Sequence, residues 1–480
     1  MKKLYKLFTA ALLAGSCLTA SAQALRSGYF LEGYSFRHQL NPAFSAERNY
    51  ISIPALGNIN IGTQGNIGVG HFLYPQNDQL ITFMHSSING QDFLGELKDK
   101  NRLSANINMT LLAAGFHAWG GFNTVDINLR SNTSMNLPYD LFAFMKMGMT
   151  GSETHYDIGD LGIQSNNYIE LAFGHSRKIN DKLNVGGKLK FLLGAANLSL
   201  KMTDMDVTLS QDKWMVKANG EMSASLKGLT MPTKAESGRN VDNASQRDLI
   251  DWDNMDVDSP GLSGFGMAID LGATYKVMDD LTVSAALLDF GFMSWNNTIK
   301  AATSNAPWEF DGFQNIAVDS ELGDDDPNSL ESQLDAIGKD LEDYASFHRT
   351  ENGVKRTAML GATLNIGAEY AFPLYKKLHF GFLSSTRING KYSWSEGRIS
   401  ANVAPIKWFD AGVNYAISSF GSSFGWLLNF HPRGFNFFVG MDHLMGKITP
   451  QFIPVKSGNM NLSLGFNVTF GGKSDKNDKK

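Results

Sequence analysis

The sequence predicts an all-β fold, a transmembrane antiparallel β-barrel of roughly 14 strands, within a range of about 12 to 16. Three observations predict it. Apolar residues alternate with small or polar residues through unusually long segments. Beyond the N-terminal leader, no stretch approaches the roughly 18 apolar residues of a membrane-spanning helix. The chain also opens with the layout of an export signal.

Composition excludes several other classes of protein. The chain has 480 residues, 42 basic and 47 acidic, with a formal charge of -5. This balance predicts no nucleic-acid partner. With 11% aromatic and 43% hydrophobic residues, the chain is too apolar to be disordered.

The first 22 residues read as a cleavable signal peptide. They combine a positive start, an apolar run and a small-x-small cleavage site, at Lys2 to Lys6, Leu7 to Leu18 and Ala20 to Ala22. The only cysteine, Cys17, lies inside this leader, and the residues before it lack the leucine of a lipoprotein site. The mature chain is therefore expected to have no disulfide and no cysteine nucleophile.

The strand pattern is clearest from Phe265 to Val277. Every odd position there is apolar, and every even position is small or polar. Such a strand is long enough to cross a bilayer at a tilt, which takes about 9 to 11 residues. Similar alternation covers 125–130, 183–193 and 462–470.

A soluble β-sandwich or propeller would also show alternation. The length of the strands and the glycine, asparagine and lysine residues on their second face favour a barrel. Tryptophans near the expected strand ends, at Trp394, Trp408 and Trp426, suit the aromatic girdles of such barrels.

Connection lengths predict the topology. Short turns are expected at 180–182, 278–280, 373–377, 404–407 and 431–434, and in such barrels they belong on the periplasmic side. Long acidic connections at 228–262 and 301–356 would then face outward. The second contains a predicted helix from Asp326 to Tyr344, and Glu309 to Arg349 holds 12 acidic and 2 basic residues. A short helix is also predicted from Tyr139 to Met147 after Pro138.

This organisation predicts a periplasmic plug or hatch at 23–48, a barrel at 49–471 and a basic, disordered tail at 472–480. Both ends of the mature chain would lie in the periplasm.

Several runs of residues resemble an uncharacterised Bacteroidota outer-membrane barrel family, a domain of unknown function. They include Leu40 to Phe44, Tyr168 to Arg177, Lys188 to Gly194, Leu288 to Phe292, Pro432 to His443 and Asn461 to Gly471. The resemblance covers most of the mature chain and implies a barrel without implying an activity.

The Asn41-Pro42-Ala43 tripeptide is also similar to one in FadL-type transporters of hydrophobic compounds, where it belongs to a hatch. Only about 18 residues of the expected mature chain, from Gln23 to Leu40, precede it here, fewer than in that family. The resemblance makes Asn41, Pro42, Ala43 and Phe44 candidate hatch residues. A chain-reversing turn before the first strand explains the tripeptide equally well.

Two motifs suggest other chemistry. Gly421 to Gly425 fits the G-x-S-x-G pattern of hydrolases around Ser423, with His431 and His443 downstream, but glycine and serine between two strands predict an ordinary turn. Asp251, Asp253, Asp256 and Asp258 form part of a calcium-loop pattern without its closing glutamate. A solvated acidic loop explains them better, and no metal or cofactor is predicted.

The function predicted from sequence is passive transport of small hydrophobic molecules across the outer membrane of a Gram-negative bacterium, and not an enzymatic activity. Methionine and phenylalanine residues in the lumen would favour such a conduit. The alternative is a structural or partner-binding barrel that acts through its acidic loops, and a hydrolase using Ser423 ranks third. Expected partners are outer-membrane lipids, the barrel-assembly machinery and small hydrophobic molecules, and the expected state is a monomer.

Overall fold

The computed structural model describes residues 24–76, 79–239, 241, 244–304, 307–311, 344, 346–443 and 458–471. The predicted signal peptide, the basic tail and all of the predicted 326–344 helix except Tyr344 lie outside these residues. No helix in the described parts of the chain is long and apolar enough to span a membrane.

The strands form one closed antiparallel barrel, with 14 strands in the part of the chain that the structure describes. This confirms the predicted fold class. The strands are β1 (Asn49–Ser52 and Asn58–Gly65), β2 (Lys100–Ala118), β3 (Gly121–Pro138), β4 (Glu153–Asp157 and Gly162–Lys178), β5 (Leu183–Ser210), β6 (Trp214–Leu226 and Gly264–Met278), β7 (Leu281–Ala302 and Trp308–Phe310), β8 (His348–Met359 and Ala362–Ala371), β9 (Leu378–Ile388), β10 (Trp394–Ile406), β11 (Phe409–Ser418), β12 (Gly421–Phe430), β13 (Phe435–Met441) and β14 (Met460–Phe470).

Each strand pairs with its neighbours in the chain, and β1 closes the barrel against β14. The seam pairs Tyr50 with Thr469 and Ile61 with Leu462. Two short hairpins lie outside the barrel, Leu73–Gln76 with Gln79–Thr82 and Leu229–Thr230 with Asp256–Val257.

The helices among the described residues are short. They are α1 (Gly90–Gly95), α2 (Tyr139–Met147) and 3-10 turns at Arg26–Gly28, Arg37–Gln39, Val69–His71, Ala244–Gln246, Trp252–Asn254 and Gly390–Tyr392. The prediction of a helix from Tyr139 to Met147 is confirmed. It follows Pro138, a residue suited to a helix start because it needs no hydrogen-bond partner for a backbone N–H.

Strand faces follow the predicted alternation. In β6, Phe265 is 46% exposed on the outer face, whereas Ala268 and Asp270 are 1% exposed on the inner face. In β14, Phe466 and Val468 face outward, and Asn467 between them is completely buried. The outer surface is therefore apolar and the inner wall polar, as a membrane barrel requires.

The predicted short turns lie at one end of the barrel, here called the turn end. The other end, the loop end, carries the long connections. The turn from Trp119 to Gly120 belongs to the turn end, and both of its residues have positive φ values of 54° and 73°, as a two-residue hairpin turn requires.

The barrel wall is uneven in height. Strand β5 has 28 residues, roughly 90 Å of extended chain. On the opposite side, β13 has 7 residues and β11 and β12 have 10 each. We call β2 to β8 the tall wall and β9 to β14 the short wall.

Two of the three tryptophan predictions need correction. Trp408 is 49% exposed at the turn end, as a girdle residue would be. Trp394 is 7% exposed and packs inward, where the guanidinium carbon of Arg26 lies 4.7 Å from its ring. Trp426 lies in the middle of β12, paired with Val413 and Met441. An N-terminal cation in the lumen gives Trp394 a reason to face inward that its own strand does not reveal.

Candidate functional site

Residues 24–48, here called the inner segment, lie inside the barrel. Their sequence is rich in aromatic residues, and Tyr29, Tyr34 and Phe36 are fully buried. The segment folds as a series of tight turns, including the 3-10 turns at Arg26–Gly28 and Arg37–Gln39. Turns suit a chain that must fold back on itself within a lumen too narrow for a longer element.

The first half of the inner segment binds the short wall. The Asp442 carboxylate accepts hydrogen bonds from the backbone N–H groups of Arg26 and Ser27, at 2.8 and 2.6 Å. The Gly33 N–H donates to Asp410 at 3.1 Å. The Ser35 hydroxyl donates to Asn436 at 3.1 Å.

A buried ion network joins this half to β10. One Nη of Arg26 lies 2.7 Å from a Glu396 carboxylate oxygen. The Glu396 carboxylate also pairs with Arg398 at 2.8 Å. Arg398 also faces Asp442 at 3.5 Å. All four side chains are at most 4% exposed. Two cations and two anions balance here, which a buried network requires.

The second half of the inner segment binds the tall wall. The imidazole Nδ1 of His38 lies 2.6 Å from the Lys188 ammonium, and Nε2 lies 2.7 Å from the Tyr50 hydroxyl. The Lys188 ammonium also pairs with Asp126 at 3.2 Å. The Leu40 carbonyl accepts a hydrogen bond from Asn365 at 2.9 Å.

The candidate hatch residues lie in this half. The Asn41 side-chain oxygen accepts a hydrogen bond from the Ala43 N–H at 2.9 Å, so the tripeptide does form the chain-reversing turn. Asn41 and Ala43 are both fully buried. The Phe44 ring lies 4.2 Å from the guanidinium carbon of Arg37. The tripeptide therefore both reverses the chain and lies inside the barrel.

Two glycines of the tall wall form a notch for this turn. A Cβ on Gly186 would overlap the Pro42 carbonyl, and a Cβ on Gly272 would overlap the Asn41 side chain. The Asn184 amide, next to the notch, donates to the Ala43 carbonyl. The glycines on the inner faces of β5 and β6 thus have a local role, because they admit the backbone of the inner segment.

A third charged cluster occupies the tall wall beside the inner segment. Lys190 pairs with Asp270 at 2.8 Å and with Asp289 at 2.6 Å. Asp289 has a φ of 57° and lies opposite a register shift between Ile269 and Leu271. This bulge turns Asp289 toward Lys190, and Arg387 contacts it from β9 at 3.2 Å. Arg130 and Glu170 complete the cluster at 3.0 Å.

Two small cavities lie in the lumen. One cavity of about 40 Å³ lies between the inner segment and the wall, and another of about 30 Å³ lies nearer the loop end. A site for one water needs about 10–15 Å³, so each cavity holds a few waters. A groove of about 890 Å³ opens at the turn end and reaches Asn184.

The described inner wall is mainly polar and not the methionine- and phenylalanine-rich lining that would favour a hydrophobic conduit, although Phe122 and Phe438 pack inward against the inner segment. Buried asparagines line this wall instead, including Asn60, Asn108, Asn128, Asn365, Asn414, Asn429, Asn436, Asn461 and Asn467. Methionines gather at the loop end, where Met84, Met145, Met147 and Met149 are 37–48% exposed. We call these four residues the methionine surface.

The structure places the G-x-S-x-G residues inside a strand, which corrects the predicted turn. Gly421 to Gly425 open β12, and the tight turn before it is at Ser419 and Phe420. The Ser423 hydroxyl lies 2.8 Å from Nδ1 of His443. Nε2 of His443 contacts the Gln64 amide at 2.6 Å. His431 lies elsewhere, 3.5 Å from Asp410.

The acidic candidates in the 228–262 connection do not converge. Asp251 and Asp253 both pair with Arg239, at 2.7 and 2.9 Å. Asp256 and Asp258 are exposed. Among the described residues, no group of three His, Cys, Asp or Glu side chains is placed to hold a metal ion.

A protein-family model matches residues 42–442, from Pro42 of the hatch tripeptide to just past the end of β13. It describes a family of unknown function, DUF5723. The chain belongs to this family. No curated protein matches the chain.

Three solved structures are similar to this DUF5723 chain. The toluene transporter TbuX of Ralstonia pickettii is 10% identical with a TM-score of 0.40, covering 90% of this chain and 92% of that chain. The toluene transporter TodX of P. putida is 10% identical with a TM-score of 0.37, covering 89% and 90%. The translocator domain of the autotransporter NalP from Neisseria meningitidis is 10% identical with a TM-score of 0.31, covering 89% of each chain. Values this low say nothing about function.

Proposed function

We propose that this protein is an outer-membrane channel for small hydrophobic molecules, closed by its own inner segment. One observation carries the proposal: residues 24–48 lie inside the lumen, with Tyr29, Tyr34 and Phe36 fully buried, and bind the walls on both sides. Transport through the lumen therefore requires the inner segment to move. Its contacts are hydrogen bonds and ion pairs with two separate walls, which can be broken without unfolding the barrel.

The methionine surface supports hydrophobic ligands. Three of its four residues, Met145, Met147 and Met149, lie on or just after α2 at the loop end. Flexible thioether side chains accommodate varied apolar ligands. Beneath them, Phe93 and Phe142 belong to a buried apolar cluster. This end of the barrel offers apolar molecules a first contact, which the asparagine-lined lumen does not.

The turn at Asn41 to Ala43 is the proposed gate. It lies in the notch at Gly186 and Gly272, between the cavity lined by Leu40 and the groove lined by Asn184. Displacement of this turn would join the two spaces. The proposed gate therefore controls release at the turn end, which we assign to the periplasm.

Liposomes containing the refolded protein test this function. Uptake of a labelled fatty acid and conductance of ions are measured with a variant carrying Ser35→Cys and Asn436→Cys. The two side chains are in contact in the closed state, and the native sequence has no cysteine besides Cys17. Cross-linking this pair with a short thiol-reactive reagent is expected to abolish fatty-acid uptake, because it holds the inner segment in the lumen.

The single variant Ser35→Cys, treated with the same reagent, is the matched control and is expected to keep its uptake. Equal uptake by the cross-linked and uncross-linked protein would disprove gating by the inner segment. An absence of uptake in every variant, with circular dichroism showing a folded barrel, would disprove transport itself.

A second candidate function is partner binding through the loop end. Asp256 and Asp258 favour it, because they are exposed and carry no ion pair within the described residues. Capture of a basic protein or surface cation by these residues would be lost in the variant Asp256→Asn, Asp258→Asn, without any change in uptake.

We infer no hydrolase activity. Ser423 and His443 are 2% and 3% exposed, and the hydroxyl faces Nδ1 while Gln64 occupies the other ring nitrogen. Within the described part of the chain, the carboxylate recorded near Nε2 is that of Glu396, which at 3.9 Å is beyond hydrogen-bond distance. The pair joins β12 to the end of β13 and reads as a structural hydrogen bond.

The protein is expected to act as a monomer, inserted by the barrel-assembly machinery.

A further inference from the structure

The contact of His38 with the tall wall contains a charge arrangement that tolerates only a neutral imidazole. Lys188 approaches Nδ1 at 2.6 Å, so its ammonium donates and Nδ1 must accept. Nε2 then carries the ring proton and donates it to the Tyr50 hydroxyl at 2.7 Å. Both ring nitrogens are thereby occupied.

The titratable groups that contact this imidazole all lie on strands of the barrel wall. Lys188 lies on β5, Asp126 on β3 and the Tyr50 phenol on β1. The Asp126 carboxylate lies 3.8 Å from Nδ1 and 3.2 Å from the Lys188 ammonium. Further charges near this group already have partners, since Asp270 pairs with Lys190 and Glu170 pairs with Arg130. The Asp126 carboxylate therefore balances the Lys188 ammonium, and these contacts leave no carboxylate to balance a protonated His38.

Burial makes this arrangement sensitive to a proton. His38, Lys188 and Asp126 have side chains that are at most 3% exposed. A proton added to Nδ1 would remove the hydrogen bond that Nδ1 accepts from Lys188. It would also place an imidazolium cation directly beside the Lys188 ammonium. In a buried site, such an uncompensated charge is strongly unfavourable.

We propose that His38 is an acid-sensitive latch, which holds the inner segment against the tall wall while its imidazole is neutral and releases it when the imidazole is protonated. This rests on the proposed function, because it concerns the regulation of the same gate. Once displaced toward water, His38 can take up a proton freely. Acid therefore favours the released state by population shift.

The expected size follows from this linkage. A solvated imidazole has a pKa of about 6.5, and the docked one is excluded from protonation. The population of the released state then rises about tenfold for each pH unit below this value. Between pH 8 and pH 5 it rises roughly 30-fold.

The test measures fatty-acid uptake by wild-type liposomes from pH 8 to pH 5 and repeats it with His38→Gln. Glutamine can still accept from Lys188 but cannot take up a proton. Wild-type uptake is expected to rise up to about 30-fold while the variant stays flat. The matched control is His431→Gln, since His431 also adjoins the inner segment but faces Asp410. It should retain the wild-type response.

The outcomes separate the latch from the gate. If the cross-link between positions 35 and 436 blocks uptake but wild-type uptake is independent of pH, the latch is wrong and the gate stands. An equal rise with pH in His38→Gln also overturns the latch. If the cross-link has no effect, the gate fails. Protection of the inner segment from protease then tests the latch directly: it should fall with pH in the wild type and not in His38→Gln, and equal protection overturns it.

Discussion

The short wall and the tall wall hold the inner segment by different means. On the short wall, Arg26 joins a network with Glu396, Arg398 and Asp442, in which two cations share two carboxylates. On the tall wall, His38 accepts from a single ammonium, and the Asn41 to Ala43 turn fits a notch between glycines. The short wall anchors the segment by charge, and the tall wall holds it by shape and one neutral ring. Release should therefore begin at the tall wall.

Removal of one buried carboxylate, from the short wall or from the tall wall, gives the largest expected effect on stability. Glu396→Gln leaves Arg26 and Arg398 with Asp442 alone, and a buried pair broken in this way costs about 3–5 kcal/mol. Asp126→Asn leaves one buried cation, Lys188, without its carboxylate partner. Urea unfolding of the refolded protein in liposomes is expected to show the greater loss for Glu396→Gln. A greater loss for Asp126→Asn would reverse the comparison of the two walls.

The glycine notch gives an intermediate effect. Gly186→Ala places a Cβ against the Pro42 carbonyl, and overpacking of this kind costs about 1–3 kcal/mol. The turn should be displaced and fatty-acid uptake should increase, because the barrel itself keeps its pairing. The matched control is Gly187→Ala, whose Cβ would meet the Asp270 carbonyl at an ordinary 3.6 Å. Equal uptake in the two variants would mean that the turn does not depend on the notch.

Loss of the Asn41 hydrogen bonds gives a smaller effect. Asn41→Ala removes the acceptor for the Ala43 N–H and two weaker contacts to the Ala273 and Ala285 carbonyls. A hydrogen bond of this kind contributes about 0.5–1.5 kcal/mol. Protease sensitivity of residues 40–48 should increase, with the short-wall contacts intact. Unchanged protease sensitivity of these residues in Asn41→Ala would contradict this role of the Asn41 side chain.

The smallest expected effect concerns the loop end of the tall wall. Glu236 accepts from Arg349 at 2.8 Å and from the Thr233 N–H at 3.0 Å, and these bonds lower its pKa below the usual 4.5. Its ionised form therefore stabilises the 228–262 connection above that pH, and the stabilisation is lost as pH falls further. Proteolysis of this connection at pH 3 should be faster than at pH 6, and Glu236→Gln should remove much of the difference.

Local periodicity predicted the fold because a barrel strand shows its two faces in its own sequence. The small or polar positions of the alternation, even-numbered in β6 and odd-numbered in β14, form the inner face, where Asp270 and Asn467 lie. The helix from Tyr139 to Met147 was equally local. The exception, Trp394, turns inward because of a residue far away in the chain.

The contacts of the inner segment could not be predicted in the same way. His38, Asp126 and Lys188 come from separate parts of the chain, and only closure of the barrel in a particular register brings them together. The same is true of Ser423 and His443. A signal did exist for the notch, since Gly186 and Gly272 interrupt the inner faces of β5 and β6, but sequence alone does not show what occupies the space.

The position of the inner segment in the chain has a consequence for assembly. It precedes β1, yet Arg26 and Ser27 bind Asp442, more than 400 residues later. The β1–β14 seam closes between the same two ends of the chain. Contacts of such long sequence separation form late and slowly. The first residues of the described chain must therefore wait for the last strands, so that sealing the wall and filling its interior become a single late step of folding.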